Sequence, residues 1–236
     1  MAGYGGGNVG VQLGRGDGSF LAAAAVPVAA SPIGVSVGDL NKDGFVDLIA
    51  SCYGSGGVSV ALGKGDGTFQ PSVLTTTGAG ATWAAVADAD QDGNLDLAVA
   101  NPDGGTVTVL FGKGDGSFAA PVTVSTGSRP TWVDFGAFGS GTAGDLAVAY
   151  DNVGKVDTYV RSGARAYTLG GAYNVGAVPR SVSAGDLNHD GLSDLAVANY
   201  GSSSVSVILS ANGGPLQAAV DYPIGTGPYS VSLADA

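Results

Sequence analysis

The chain has 236 residues, 44% hydrophobic and only 12% charged, so it is not a disordered polar chain and can bury a substantial core. Nine basic against twenty acidic residues give a net charge of −11, which argues against a nucleic-acid groove or an anionic membrane surface as partner. No apolar run approaches the roughly 18 to 20 residues of a membrane-spanning helix, so we expect no membrane insertion.

The sequence repeats with a period of 49 residues, as Phe20, Phe69 and Phe118 illustrate. A fixed period of this size indicates a repeat architecture, in which each unit is one supersecondary element packed against its neighbours. We therefore expect one domain over residues 1–236. Its predicted units are 34–82, 83–131, 132–180 and 181–229, with a composite fifth unit made of 1–33 and 230–236.

The second unit predicts four short strands, at 83–87, 96–101, 106–111 and 121–124, separated by turns of Gly, Asp and Pro. Four antiparallel strands in about 49 residues match the size of one β-propeller blade. A solenoid would need a much shorter repeat, and a sandwich rarely keeps an identical period. The sequence therefore predicts an all-β propeller of five four-stranded units, of which the composite unit lacks one strand.

The composite unit would take its first strand from residues 229–233 and its third and fourth strands from the N-terminus. The strand between them is missing, which would leave backbone groups unpaired along an apolar seam. We expect either a compact monomer with a three-stranded closing blade or an open arc that pairs its ends with another chain. The second outcome would make the protein a homo-oligomer through its open blade edges.

A nine-residue pattern, D-x-[DN]-x-D-G-x-x-D, occurs at 39–47, 88–96 and 186–194. Hard cations such as Ca²⁺ take six to eight oxygen ligands, which positions 1, 3, 5 and 9 can offer from side chains and position 7 from its carbonyl. Glycine at position 6 permits the sharp turn. We predict three Ca²⁺ sites with these ligands: Asp39, Asn41, Asp43, Phe45 and Asp47; Asp88, Asp90, Asp92, Asn94 and Asp96; Asp186, Asn188, Asp190, Leu192 and Asp194.

The equivalent stretch of the third unit, 137–145, has lost this pattern. Ala137, Gly139, Gly141 and Ala143 stand at the ligand positions, and only Asp145 is kept. We expect this unit to bind no metal. One His and one Cys in the whole chain cannot build a zinc or copper site.

The GDLNxDGxxDLAVAN-like stretches and the VSVxLGxGDGxF stretches resemble FG-GAP repeats of the VCBS type. Related repeats form the β-propeller of integrin α subunits and of several fungal and bacterial lectins. The resemblance covers essentially the whole chain. It implies that the acidic loop joins the first two strands of a blade and binds Ca²⁺, and that the protein is secreted or on the cell surface.

Trp83 and Trp132 occupy the same column in adjacent units, with Arg129 and Arg180 nearby. At a blade mouth, aromatic faces beside polar groups suit sugar or peptide recognition, while the competing interpretation is simple packing.

No nucleophile–base pair can be assembled around the single His, so we do not expect an enzyme. We expect a non-catalytic recognition or adhesion propeller with a protein or glycan ligand. The alternatives are a carbohydrate-binding lectin and an accessory propeller of a polysaccharide-degrading enzyme.

Overall fold

The chain folds into short antiparallel β-strands, and the computed structural model describes residues 6–138, 144–163, 165–211 and 215–234. The first two strands, β1 (Asn8–Val11) and β2 (Ala24–Pro27), form a two-stranded sheet that we call the half-blade. Four four-stranded blades follow, each with its strands adjacent in chain order. Blade 1 is β3 (Pro32–Gly38), β4 (Asp47–Cys52), β5 (Gly57–Ala61) and β6 (Val73–Thr76); blade 2 is β7 (Trp83–Ala87), β8 (Asp96–Asn101), β9 (Thr106–Leu110) and β10 (Val122–Ser125); blade 3 is β11 (Pro130–Gly136), β12 (Asp145–Tyr150), β13 (Lys155–Gly163) and β14 (Ala166–Asn174); blade 4 is β15 (Pro179–Gly185), β16 (Asp194–Asn199), β17 (Ser204–Ile208) and β18 (Val220–Pro223).

The second strand of each blade, which is β4, β8, β12 or β16, is buried along its whole length of six residues. Each begins with Asp-Leu and continues with mostly small or β-branched residues. Since neighbouring blades cover both faces of such a strand, a continuous apolar run replaces the alternation of a half-exposed strand. The strands predicted at 83–87 and 96–101 are confirmed as β7 and β8 with the same bounds.

The first strands of blades 1, 3 and 4 begin earlier than the predicted units. Pro32, Pro130 and Pro179 each pair with the end of the second strand, two residues before the unit boundary expected from the repeat. A shift in register follows each proline, so the residue between the two paired positions bulges out of the ladder. Because a bulge of this kind keeps the 49-residue period, the period could not reveal the earlier start of these strands.

The hydrophobic core lies between the blades. The first strands of consecutive blades run side by side, with β3 next to β7, β7 next to β11 and β11 next to β15. Apolar side chains of one blade then meet those of the next in separate clusters, for example Ile49 and Val58 of blade 1 with Leu97 and Val99 of blade 2. Packing of sheet on sheet around an axis is the arrangement of a β-propeller.

The fifth unit is divided between the two ends of the chain. The N–H of Leu233 donates to Ser183 Oγ at 3.2 Å, and the N–H of Ala184 donates to Asp134 Oδ2 at 3.0 Å. Ala184 lies 49 positions before Leu233, and Asp134 lies 49 positions before Ser183. The C-terminal segment therefore contacts blade 4 in the way that blade 4 contacts blade 3. It holds the first-strand position of a fifth blade, whose third and fourth strands are β1 and β2.

The structure confirms the predicted five-unit propeller with one composite unit. In the described part of the chain, residues 229–233 form no ladder with the half-blade, and no second strand lies between them. The same described residues include no helix with the length and apolar character needed to cross a bilayer.

A buried aspartate at the start of each second strand ties two turns together. Asp47 accepts hydrogen bonds from the N–H of Leu40 and from the N–H of Gly63, both at 2.8 Å. The other three blades repeat this pair of bonds: Asp96 with Ala89 and Gly112, Asp145 with Phe138 and Arg161, and Asp194 with Leu187 and Ser210. Burial raises the pKa of Asp96 to about 6, and the two backbone donors partly offset this effect by stabilising the carboxylate.

Asp145 makes both bonds in the unit whose loop lacks the other predicted metal ligands. Three positions of that loop, Gly139, Gly141 and Ala143, lie outside the described residues. The ninth-position aspartate therefore has a structural role that does not depend on a metal ion, which explains why Asp145 is kept where the rest of the pattern is lost.

We expect Asp145→Ala to destabilise the protein by about 2–4 kcal/mol, because it leaves two backbone N–H groups without their buried acceptor. The loss, measured by thermal and urea unfolding, should be equal in calcium and in EDTA. Asp115→Ala is the control, since Asp115 is an exposed turn residue bonded to Ser117, and its effect should stay below about 1 kcal/mol. A destabilisation seen only in calcium would contradict the structural role.

Candidate metal loops and axial pocket

The three acidic loops share one backbone conformation. The fourth residue of each loop has a φ of 60° or 61° although it is not glycine, and these residues are Lys42, Gln91 and His189. The sixth residue is a glycine with a φ of 84° or 85°. Left-handed backbone at a residue other than glycine costs free energy, so other interactions must hold the fourth residue of each loop in this conformation.

Side chains at positions 1 and 5 supply part of that fixing. Asp39 accepts from the N–H of Asp43 at 3.2 Å and from the N–H of Gly44 at 2.9 Å. Asp43 in turn accepts from the N–H of Phe45 at 2.8 Å. The same three bonds recur in loops 88–96 and 186–194. The carboxylates at positions 1 and 5 thus bind backbone N–H groups of their own loop.

Loop 88–96 brings three carboxylates together. Oxygen atoms of Asp88, Asp90 and Asp96 all lie within 4.8 Å of one another. Oδ1 of Asp90 is buried and has no hydrogen-bond partner among the described residues. Like charges this close repel, and a buried oxygen without a donor is costly, so the arrangement fits a bound cation. Because every donor is an oxygen, the donor set suits a hard ion such as Ca²⁺.

Loops 39–47 and 186–194 carry Asn at position 3, which lowers their negative charge by one each. Nδ2 of Asn41 donates to Asp43 Oδ2 at 2.8 Å, and Nδ2 of Asn188 donates to Asp190 Oδ2 at 3.2 Å. Asp190 also accepts from Ser210 Oγ at 2.7 Å. These bonds join positions 3 and 5 of each loop, whereas a group of three acidic side chains within 4.8 Å of one another is found among the described residues only in loop 88–96. The assignment of these residues to metal stays a prediction.

A pocket of about 360 Å³ lies at the centre of the propeller. The first strands of all four blades line it, together with residues 230–232. Trp83 and Trp132 lie in its wall with their rings stacked, 3.9 Å between centroids and 13° between planes. Ser36, Ser183 and Asp134 add polar groups to the same wall.

The two tryptophans also pack between blades. A Cβ atom on Gly34 would come within 3.4 Å of Cε3 of Trp83 and within 2.5 Å of the Thr82 carbonyl oxygen. The glycine in blade 1 is therefore required by the close approach of blade 2. Trp83 and Trp132 are half-buried, so the same side chains serve packing and line the pocket.

Arg129 and Arg180 are not among the described residues that line this pocket. Arg129 lies 3.3 Å from Asp103, and Arg180 lies 3.3 Å from Asp151. The guanidinium of Arg180 also stands over the ring of Tyr200, 5.8 Å from its centroid. The structure thus separates the two arginines from the tryptophans and pairs each with an aspartate in the turn that follows a second strand.

Asp134 is a pocket residue that the sequence analysis did not propose. It accepts from the N–H of Ala184 at 3.0 Å, and burial raises the pKa of its carboxyl group to about 6. Its column holds Ser36, Ala85 and Ser183 in the other blades. Asp134 is the one acidic residue at this position of the repeat, where the other blades have serine or alanine. This difference between the units is the feature of the sequence that could have identified Asp134 as a pocket residue.

The fold resembles solved structures of different functions. A lectin from Agrocybe aegerita that recognises non-reducing terminal N-acetylglucosamine has a TM-score of 0.62 and 20% identity, over 93% of this chain and 61% of the lectin. The periplasmic gluconolactonase of Pseudomonas aeruginosa has a TM-score of 0.67 and 20% identity, over 94% of this chain and 65% of that one. A putative 6-phosphogluconolactonase from Bacteroides fragilis has a TM-score of 0.71 and 16% identity, over 97% and 68%. A comparison with curated protein sequences found no match.

These matches correct the expectation that the protein is not an enzyme. Propellers described as gluconolactonases and as a virginiamycin B lyase share the fold at 14–20% identity, so the architecture gives no ground for excluding catalysis. At such identities the likeness concerns the fold alone.

The repeat itself is matched by family models. An FG-GAP-like repeat model matches residues 47–99 and 88–139, and an FG-GAP repeat model matches residues 178–214. Together these segments cover more than half of the chain, and each includes one of the acidic loops 88–96 and 186–194. The chain belongs to the FG-GAP repeat family.

Proposed function

We propose that this chain is a calcium-binding recognition propeller of a secreted or cell-surface protein. The observation that carries the proposal is the group of three carboxylates in loop 88–96, with the buried and unpartnered Oδ1 of Asp90. The shared backbone conformation of loops 39–47 and 186–194 extends it to three sites. Extracellular calcium is in the range that such modules bind, which supports a location outside the cell.

In each loop, the side chains at positions 1, 3 and 5 would hold the ion, with the carbonyl of position 7 and the acid at position 9. The ion supplies positive charge to a turn in which carboxylates otherwise repel one another. Three ions would change the formal charge of the chain from −11 to −5, since each contributes two positive charges. Because the loop joins the first and second strands, fixing it holds these strands in register.

Calcium should stabilise the protein, because an ion that binds only the folded state contributes about 2.7 kcal/mol per site at a hundredfold excess over its Kd. Titration of EDTA-treated protein by calorimetry should give three ions per chain. Asp90→Ala should reduce the number to two and lower the rise in melting temperature that calcium produces.

Asp115→Ala serves as the matched control, because it removes an equally acidic residue from an exposed turn outside the loops. Its ion count should stay at three. An unchanged melting temperature of the wild type between EDTA and millimolar calcium would contradict structural calcium. A count of three in Asp90→Ala would contradict the assignment of loop 88–96.

The recognition part of the proposal rests on the axial pocket. A volume of about 360 Å³ is at the lower end of small-molecule sites, and indole rings beside hydroxyl groups and a carboxylate suit a sugar. The lectin among the similar structures supports glycan as the ligand class. A protein ligand and a role as accessory propeller of a polysaccharide-degrading enzyme stay as alternatives.

A glycan bound in this pocket should change the intrinsic fluorescence, because the chain has two tryptophans and both line the pocket. Asp134→Asn keeps both indoles and should weaken binding about tenfold, since hydrogen bonds to a charged group contribute roughly 1.5–3 kcal/mol. Arg129→Ala, outside the pocket, should leave the affinity unchanged. A glycan whose affinity is the same for wild type and Asp134→Asn would show that recognition occurs elsewhere, while the calcium result would stand.

A further inference from the structure

The acidic loop of blade 2 lies against blade 3. Nη1 of Arg161 donates to the carbonyl oxygen of Ala89 at 2.9 Å, and Ala89 is the second residue of this loop. The corresponding carbonyl in blade 1, that of Leu40, accepts from the N–H of Gly116 in blade 2 at 3.1 Å. In both cases, the hairpin formed by the third and fourth strands of the next blade contacts the acidic loop.

Tyr167 belongs to this hairpin of blade 3, where it is the cross-strand partner of Arg161. Its side chain packs on the apolar cluster between blades 2 and 3, which includes Ala89. Burial raises the pKa of Tyr167 to about 12, and the charges of Asp96 and Asp90 are among those that raise it further. The hydroxyl group of blade 3 therefore lies close to the carboxylates of blade 2.

Two buried polar atoms in this region have no hydrogen-bond partner among the described residues. One is Oδ1 of Asp90, and the other is the hydroxyl oxygen of Tyr167. A buried polar atom without a partner costs roughly 1–3 kcal/mol. Because the two atoms do not bond to each other, a group that contacts both would remove both costs. A hydrated cation is such a group, since the ion binds the carboxylate oxygen and its water donates to the hydroxyl oxygen.

Both residues depart from the repeat, and they do so next to each other. The residues at the position of Tyr167 in the other units carry no polar side-chain atom; they are Phe20, Phe69, Phe118 and Leu216. Asp90 is the only aspartate at the third position of the three acidic loops, where the others have Asn41 and Asn188. The additional carboxylate and the additional hydroxyl therefore belong to the same inter-blade contact.

We propose that Tyr167 is a positioning residue of the metal site in loop 88–96, where its hydroxyl oxygen accepts a hydrogen bond from a water bound to the ion. This inference rests on the calcium site of the proposed function. The ligands come from blade 2 and the hydroxyl comes from blade 3, so the hydrated ion joins two blades. The acidic loops 39–47 and 186–194 have no such hydroxyl at the equivalent position, so this property is specific to loop 88–96.

The test uses a single-site protein, in which Asp43→Ala and Asp190→Ala disable the other two loops. Calorimetric titration of the EDTA-treated protein with calcium chloride should give one ion per chain. Tyr167→Phe in this protein should weaken calcium binding by about ten- to a hundredfold, the range found when residues that orient metal ligands are changed. Its melting temperature in EDTA should be unchanged or higher, because phenylalanine is the residue of the other units and the change removes an unpaired buried hydroxyl.

Tyr222→Phe is the matched control, because it removes the same group from β18, where Tyr222 is 53% exposed. Its calcium affinity should equal that of the single-site protein. Equal affinities of Tyr167→Phe and Tyr222→Phe would overturn the role of Tyr167 and leave the calcium site standing. A melting temperature of Tyr167→Phe that falls equally in EDTA and in calcium would also overturn it, because the hydroxyl would then serve packing alone. A single-site protein that binds no calcium would overturn both the site and this inference.

Discussion

The propeller depends on the pairing between one buried carboxylate and two backbone N–H groups in every complete blade. Asp47 and its equivalents join the loop before the second strand to the turn after the third, at a depth where water cannot replace a lost acceptor. The bond pattern fixes how far the second strand reaches toward the loop face of the blade. The acidic loop is joined to this anchor, so the side chains predicted to bind metal are placed by a bond that does not itself need a metal.

The second requirement is small side chains where blades meet. The alanines of the second strands lie in the cores shared by adjacent blades, and Gly34 makes room for the tryptophan that follows it around the axis. Close blades bring the first strands together, and the axial pocket is the space that remains between them. The pocket can vary chemically from blade to blade only at positions such as Asp134, where the repeat tolerates a different side chain.

The period and the alternation of apolar residues were enough to predict the propeller, the strands β7 and β8, and the composite unit, because these features recur along the chain. The sequence could not reveal that Asp47 and its equivalents accept backbone hydrogen bonds, since a metal ligand and a backbone acceptor would recur with the same spacing within one chain. It also grouped Arg129 and Arg180 with the tryptophans, whereas their side chains turn away to Asp103 and Asp151. Residues at neighbouring positions of the repeat have neighbouring backbone positions, but the repeat does not show in which direction their side chains point.

The stacked indoles of Trp83 and Trp132 have a consequence for how this molecule can be observed. They belong to different blades, and they account for all the tryptophan in the chain. Two indoles at 3.9 Å couple electronically, so the ultraviolet circular dichroism of the protein contains a signal from one inter-blade contact. Separation of blades 2 and 3 would weaken that signal while every strand stayed intact. The circular dichroism of this indole pair therefore reports the spacing of blades 2 and 3 near the propeller axis.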